Sequence, residues 1–317
     1  MFYLANGLTL HSDHALSGFE AISSAKPNVE LHFSVFPDRL FSRIVADSAP
    51  PYYVDPSLTA WRSDPYYALR YEDGTEFLID GHVSEIWARW GTKSSFDSAV
   101  AYFTGPVFGL FLRIRGVLCL HASAIEDHGA AFAIAGPCGA GKSTLAASFA
   151  RAGHRVFSDD VVALRHTATA FEVQPSWSRF KLWPDSVEAL YGPEVDFPRL
   201  DAAFEKRVVP AQSVQDNANL PLRVVYLLKD RSPQVQQTRI EPLDAMNAMV
   251  SLASHTYCNY LLTPEMRRHE FQQLRELIGA IMVREITIPA DFAQLPSVRE
   301  ALLADFAQQS RNPVSSC

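Results

Sequence analysis

The chain has 317 residues, of which 48% are hydrophobic and 20% charged, with a formal net charge of −7. That length suits about two domains, each able to bury a core, and the composition is that of an ordinary globular protein. The acidic balance argues against nucleic acid as a partner, and the longest uncharged stretch, Ser98–Leu112, is too short and too broken by Gly105-Pro106 and Gly109 to cross a membrane.

Residues 1–95 alternate short apolar segments with Pro, Gly, Asp and Ser clusters. Phe2–Leu10, Val29–Val35, Tyr66–Tyr71, Glu76–Ile79 and Val83–Trp90 read as strands of a smaller β-rich N-terminal domain, with a partner- or substrate-gripping role as its expected use. Met1–Leu4 lacks the basic region and apolar core of a signal peptide. Cys119, Cys138, Cys258 and Cys317 show no pairing pattern, which fits a reducing cytoplasm. Asp97–Arg113 reads as a helical connector, buried and packed between domains, and opens a second domain over 96–317. Val117–Ile125 and Ala130–Ala135 then read as a hairpin closed by Glu126-Asp127-His128-Gly129. Whether the loop has two residues or four, the register expected of it pairs Ile125 with Ala130 and sets His121 across from Ile134.

Gly136-Pro137-Cys138-Gly139-Ala140-Gly141-Lys142-Ser143-Thr144 follows, and it matches G-x-x-x-x-G-K-[ST], the P-loop pattern. Glycines let backbone N–H groups wrap phosphate oxygens, and the helix read over Lys142–Ala152 adds its positive N-terminal end. In that pattern Lys142 contacts the β/γ-phosphates and Ser143 ligates Mg²⁺, so ATP and Mg²⁺ are the expected cofactors. Val156–Ser158 ends in Asp159-Asp160. A strand–helix–strand crossover makes this strand parallel to the first, so both finish at one sheet edge and deliver the acidic pair to the phosphate site. One carboxylate can then serve the metal and the other an acceptor.

Downstream, Val161–Leu164 and Phe171–Val173 read as strands. Pro175–Asp185 is aromatic and basic, and Asp185 is read as the N-cap of a helix to Leu190. Arg179 and Lys181, with Lys206-Arg207 further on, are candidates for binding phosphate or an acidic substrate, although a solvated charge pair is at least as ordinary a role for each. Leu222–Leu228 reads as an edge or central strand, Leu243–Ala253 and Pro264–Val283 as helices, Glu285–Ile288 as a strand and Ser297–Phe306 as a helix before a frayed tail. Leu274, Leu277, Ile278 and Ile281 form one core-facing stripe, and His255, Cys258 and His269 lack metal-ligand spacing.

Three stretches in order, Leu120-His121-Ala122-Ser123-Ala124, the P-loop, and Gly153-His154-Arg155-Val156-Phe157-Ser158-Asp159-Asp160, resemble the HPr kinase/phosphorylase family, tightly over about 117–165. The resemblance implies an α/β fold with a P-loop kinase core, distantly like phosphoenolpyruvate carboxykinase, that phosphorylates serine. It also implies roles: Asp159 as the base that takes the serine proton, His121 beside it, and Asp160 with Ser143 at the metal. No Glu-x-Arg-Gly segment follows Asp160, and the opening Tyr3–Leu8 with Ser12-Asp13 is similar to a shorter, divergent branch. That branch includes kinases encoded with ribosomal peptide modification clusters, such as lasso-peptide kinases, and it implies a serine on a precursor peptide as acceptor.

The expectation is therefore a cytoplasmic Mg-ATP-dependent kinase acting on a serine of a peptide or small protein. A nucleotide-dependent binding or regulatory protein and a small-molecule kinase are the alternatives. The residues leave the oligomeric state open, a homo-oligomer included.

Overall fold

The computed structural model describes residues 1–311 other than 17–18, 24–25, 49, 83, 177–178, 202–203, 212–217 and 230–233. Expectations for Val83, Trp177, Ser178, Cys317 and the tail beyond Arg311 lie outside the described residues. The protein is a mixed α/β structure with several sheets, and it divides into two compact units: Met1–Gly116 with Tyr260–Thr263, and Val117–Asn259 with Pro264 onward.

In the first unit, β1 (Phe2–Ala5) and β2 (Leu8–Ser12) form a hairpin in place of one long strand. The cause is Asn6-Gly7, whose φ values of 50° and 72° suit a two-residue turn that matches strand twist. The sheet continues with β3 (Val29–His32), β4 (Tyr53–Val54), β5 (Leu58–Ser63), β6 (Tyr66–Tyr71), β7 (Glu76–Asp80) and β8 (Glu85–Arg89), in the order β1-β2-β3-β8-β7-β6-β5-β4. Helix α1 (Asp38–Asp47) buries Phe41 and Ile44 against Trp61, Ala68 and Leu78. Helices α2 (Phe96–Tyr102) and α3 (Phe108–Ile114) flank a π-helical segment at Phe103–Val107, where Gly105-Pro106 breaks the regular ladder. Sequence reading placed this helical run in the second domain. It belongs to the first unit, because Phe96 packs on Trp90 and Phe33 and Tyr102 stacks on Tyr71 at 3.8 Å.

The second unit contains β9 (Leu118–Asp127), β10 (Ala130–Ala135), α4 (Lys142–Arg151), β11 (Val156–Ser158), β12 (Val161–His166), β13 (Phe171–Val173), β14 (Arg179–Leu182) and α5 (Pro184–Tyr191). It continues with β15 (Arg199–Asp201), β16 (Phe204–Pro210), β17 (Leu220–Leu228), β18 (Arg239–Pro242), α6 (Ala245–Ser254), α7 (Pro264–Ala280), β19 (Met282–Thr287) and α8 (Leu295–Arg311). The main sheet runs β10-β9-β12-β13-β17-β19-β18. A further β10–β17 pairing closes β10, β9, β12, β13 and β17 into a ring, so β17 is central. Along β10 the side chains alternate as a strand requires. Phe132 and Ile134 enter one core with Leu145, Phe149 and Phe306, from α4 and α8. Ala131, Ala133 and Ala135 enter the other with Leu252, Leu274 and Leu277, from α6 and α7. Helices therefore cover both faces. The antiparallel sheet β14-β16-β15 lies beside α5 and supplies Phe180 and Leu182 to the first of these cores.

The β9–β10 register differs from the expected one. His128 (φ 50°) and Gly129 (φ 77°) make a two-residue turn, so Asp127 pairs with Ala130 and Ile125 with Phe132. Ile134 consequently faces Ser123, while His121 pairs with Val161 on the other side of β9. Trp183 rather than Asp185 is the N-cap of α5, because Pro184 takes the first helical position.

Asp13 ties two strand ends together in the first unit: its Oδ1 accepts from the Phe33 N–H at 2.9 Å and its Oδ2 from the Ser34 N–H at 2.8 Å. Partial burial works to raise this carboxyl, but those N–H groups and His14 outweigh it and hold the pKa at about 2. A depressed carboxylate stabilises the fold above its unfolded pKa of about 4 and loses that contribution as pH falls through the folded value. Thermal melts of Asp13→Asn against the wild type should show a deficit at pH 7 that closes between about pH 4 and pH 2. A deficit independent of pH would contradict this account of Asp13.

Candidate functional site

Strand β9 is the spine of the site. On one edge it pairs with β10, whose last pair is Ala135↔Ala122; on the other edge it pairs first with β11 (Ser158↔Ala124) and then with β12 (Val161↔His121). Between those two pairs, Asp159 and Asp160 stand opposite Ser123 and Ala122, at the level where β10 gives way to the glycine loop. Both β10 and β11 run antiparallel to β9, so they are parallel to each other, with β9 between them. The expected crossover direction holds. The acidic pair follows the end of β11, as expected, but the chain then continues along β9 as β12.

The loop 136–141 has positive φ at Gly136, Gly139 and Gly141, and Gly141 (φ 102°, ψ 19°) is the N-cap of α4. Gly136 is also fixed by contact, since a Cβ there would stand 2.5 Å from the Leu228 carbonyl oxygen on β17. Lys142 is buried and donates through Nζ to the carbonyls of Gly136 and Pro137, each at 2.9 Å. Burial lowers its pKa, against the opposing pull of Cys138, Asp160 and Asp159. Thr144 Oγ1 lies 2.9 Å from Ser186 Oγ on α5. Cys138 is exposed.

The two carboxylates diverge because Asp160 adopts φ 73° in a tight turn in which the Val161 N–H donates to the Asp159 carbonyl at 3.0 Å. Asp159 is buried and accepts from Ser123 Oγ at 2.6 Å. Burial raises its pKa to about 6, with Asp160 adding to the rise and Ser123 and Ser143 opposing it. Asp160 receives Lys181 Nζ at 3.1 Å and Tyr257 OH at 3.3 Å on Oδ2, and His121 Nε2 lies 3.6 Å from Oδ1. Burial pushes this carboxyl up, yet Lys181 and His121 hold it at about 2. His121 is itself lowered to about 4, chiefly by burial, so its imidazole is neutral near pH 7. Its backbone N–H donates to the His255 carbonyl at 2.8 Å, which moors the loop after α6 to β9.

One cleft gathers most of the residues singled out by sequence. His121, Lys142, Ser143, Asp159, Asp160, Lys181 and Lys206 line it, together with loop residues Cys138, Gly139 and Gly141. Two basic candidates are engaged differently. Arg207 pairs with Asp196 at 3.4 Å and donates to the Glu205 carbonyl, since neighbours on a strand point to opposite faces and Lys206 takes the cleft side. Arg179 is buried, with burial bringing its pKa down to about 10, and it is not part of the cleft lining. The resemblance set His121 beside Asp159; its imidazole stands beside Asp160.

Sequence reading assigned no role to Ser123, Tyr257, Trp183 or Ser186. Ser123 was detectable, because it lies two residues from His121 on one strand and so shares its face. Tyr257 was not, because only the tertiary path from α6 brings it to Asp160.

The Ser143 hydroxyl and two carboxylates are hard oxygen donors of the kind Mg²⁺ takes. Among the described residues no group of three or more His, Cys, Asp or Glu side chains is placed to hold a metal ion, so a cation here would complete its shell with oxygens from outside the chain, as phosphate-bound Mg²⁺ does. Among the described residues, too, no helix is long and apolar enough to cross a membrane.

No family model matches the chain, and no curated protein matches it. Among solved structures, the Hpr(Ser) kinase/phosphatase from Coxiella burnetii is similar over 61% of this chain and 99% of that one, at 17% identity and a TM-score of 0.30. A likeness that slight assigns no family.

Gly136→Ala should lower stability by about 1–3 kcal/mol in urea denaturation, because the Leu228 backbone has to move. Gly139→Ala meets no atom within 4 Å and should cost only the left-handed backbone strain, about 1 kcal/mol. A Gly136→Ala cost no larger than the Gly139→Ala cost would contradict the close seating of the loop on β17.

Proposed function

We propose that the second unit is a P-loop kinase core of the HPr kinase/phosphoenolpyruvate carboxykinase type. It uses Mg-ATP to phosphorylate a serine hydroxyl on a peptide or small protein, a ribosomal precursor peptide among the candidate acceptors. The observation that carries this reading is the meeting in one cleft of Lys142 and Ser143 with Asp159 and Asp160. A protein that only bound Mg-nucleotide would need one carboxylate for the metal and no base, whereas a second carboxylate supplies the base that transfer to a hydroxyl requires.

The placement of these residues supports the following roles. Lys142, at present bonded to carbonyls of its own loop, has a short path to a phosphate seated on that loop. Loop N–H groups and the α4 N-terminus hold the phosphate chain. Ser143 and Asp160 would hold Mg²⁺, which would supply charge neutralisation for the phosphate chain. Asp159 accepts the acceptor proton, with Ser123 fixing its carboxylate. Lys181 keeps Asp160 ionised and, with His121, oriented. Ser143, which also holds the Asp159 carboxyl down, supports the reverse division of the two carboxylates, with Asp159 at the metal and Asp160 beside His121 as base, and the variants below separate the two.

With γ-labelled ATP and serine peptides, Asp159→Asn should cut transfer by about 10²–10⁴-fold while nucleotide affinity survives, and Asp160→Asn should shift the Mg²⁺ requirement. The opposite pattern would exchange the two roles. Lys142→Ala should abolish nucleotide binding by calorimetry, and full binding in that variant would refute the loop as the phosphate cradle. Label found on no peptide or protein serine, but on a small alcohol, would move the reading to a small-molecule kinase.

A further inference from the structure

The cleft lining is of two chemical kinds: the lysines, carboxylates and loop described above, and the aromatic and apolar side chains of Leu182, Trp183 and Phe292, with Asp185 and Ser186 lining it too. Trp183 is 49% exposed, unusual for a large aromatic within a rigid β14–α5 junction. The junction itself is pinned at both ends. Two residues before Trp183, Lys181 is bonded to Asp160; three residues after it, Ser186 lies 2.9 Å from Thr144 in the first turn of α4. The chain thus runs along the cleft from the acidic pair to the start of α4. Lys206 Nζ lies 5.2 Å from the centre of the Trp183 ring, a cation–π contact that steadies the indole.

We infer that the aromatic part of the lining is a base-binding subsite, with Trp183 as the platform on which the purine ring of the nucleotide stacks, on the indole face away from Lys206. The inference rests on the nucleotide reading above and extends it to the part of the ligand that the glycine loop does not touch. A polyphosphate seated on the loop leaves a flat, uncharged ring to be placed. An exposed indole offers that ring apolar area and a π-face at little entropic cost. Phe292 adds apolar surface to the same cleft. Lys206, held at the ring, brings its charge to the same cleft and favours a ligand that is anionic at one end and aromatic at the other. Stacking reads the size and flatness of a base more than its edge, so purine nucleotides should bind in preference to pyrimidine nucleotides.

The test compares MgATP, MgCTP and magnesium tripolyphosphate by calorimetry on the full chain and on Trp183→Ala and Trp183→Phe. Trp183→Ala should weaken ATP by about 5- to 150-fold and leave tripolyphosphate within about twofold. Trp183→Phe should recover most of the ATP affinity, and the wild type should prefer ATP to CTP. Unchanged ATP affinity in Trp183→Ala, or equal losses for ATP and tripolyphosphate, would overturn the subsite while leaving the phosphate reading intact. A wild type that binds neither ATP nor tripolyphosphate would overturn both.

Discussion

Strand β9 pairs on one edge with β10 and on the other with the chain that carries Asp159-Asp160, and the site depends on this sharing. Because β10 and β11 are both antiparallel to β9, they travel the same way and reach the level of Ala122 together. There β10 opens into the glycine loop and β11 breaks at the acidic pair. The hydrogen bond from Ser123 to Asp159, at 2.6 Å and fully buried, locks that level in place. Slipping β9 by one residue against β11 would bring the main chain of Ala122 or Ala124, not a hydroxyl, opposite Asp159.

Packing supports this arrangement from both faces. The alternation of β10 sends Phe132 and Ile134 toward α4 and α8 and its alanines toward α6 and α7, so the strand is clamped and the loop after it starts from a fixed point. The small alanines allow α6 and α7 to approach closely, and the chain after α6 delivers Tyr257 and the His255 carbonyl to the site. The strained turn at Asp160 then pays for the divergence of the two carboxylates. Its cost is offset by Lys181, Tyr257 and His121, which all engage the Asp160 carboxylate.

Much of the site was legible in the chain because it is local. The loop, the helix behind it and the acidic pair are short contiguous motifs whose glycines and carboxylates carry their own geometric demands. The β9–β10 register was misread because a two-residue turn at His128-Gly129 pairs Asp127, not Ile125, with Ala130; this shift carries His121 past the last β10 pair at Ala122, and its partner is Val161 on the other edge of β9. Asn6-Gly7 carried the same kind of signal more openly, and reading Phe2–Leu10 as one strand overlooked it. Strands β16 and β18, with charged sequences and little alternation, gave no periodic signal, so the placement of Lys206 over Trp183 could come only from the fold. The π-helical break at Gly105-Pro106 likewise hid the attachment of α2 and α3 to the first unit.

The proposed centre makes its sharpest demand on Lys142, whose ammonium bonds the carbonyls of Gly136 and Pro137 in the structure described here. A crystal structure with a non-hydrolysable Mg-ATP analogue tests that demand directly. The account predicts the phosphate chain on the glycine loop, Lys142 Nζ turned from those carbonyls onto phosphate oxygens, and the metal within reach of Ser143 and the acidic pair. Phosphates bound elsewhere, or bound with Lys142 still on its own loop and the carboxylates facing away, would contradict it.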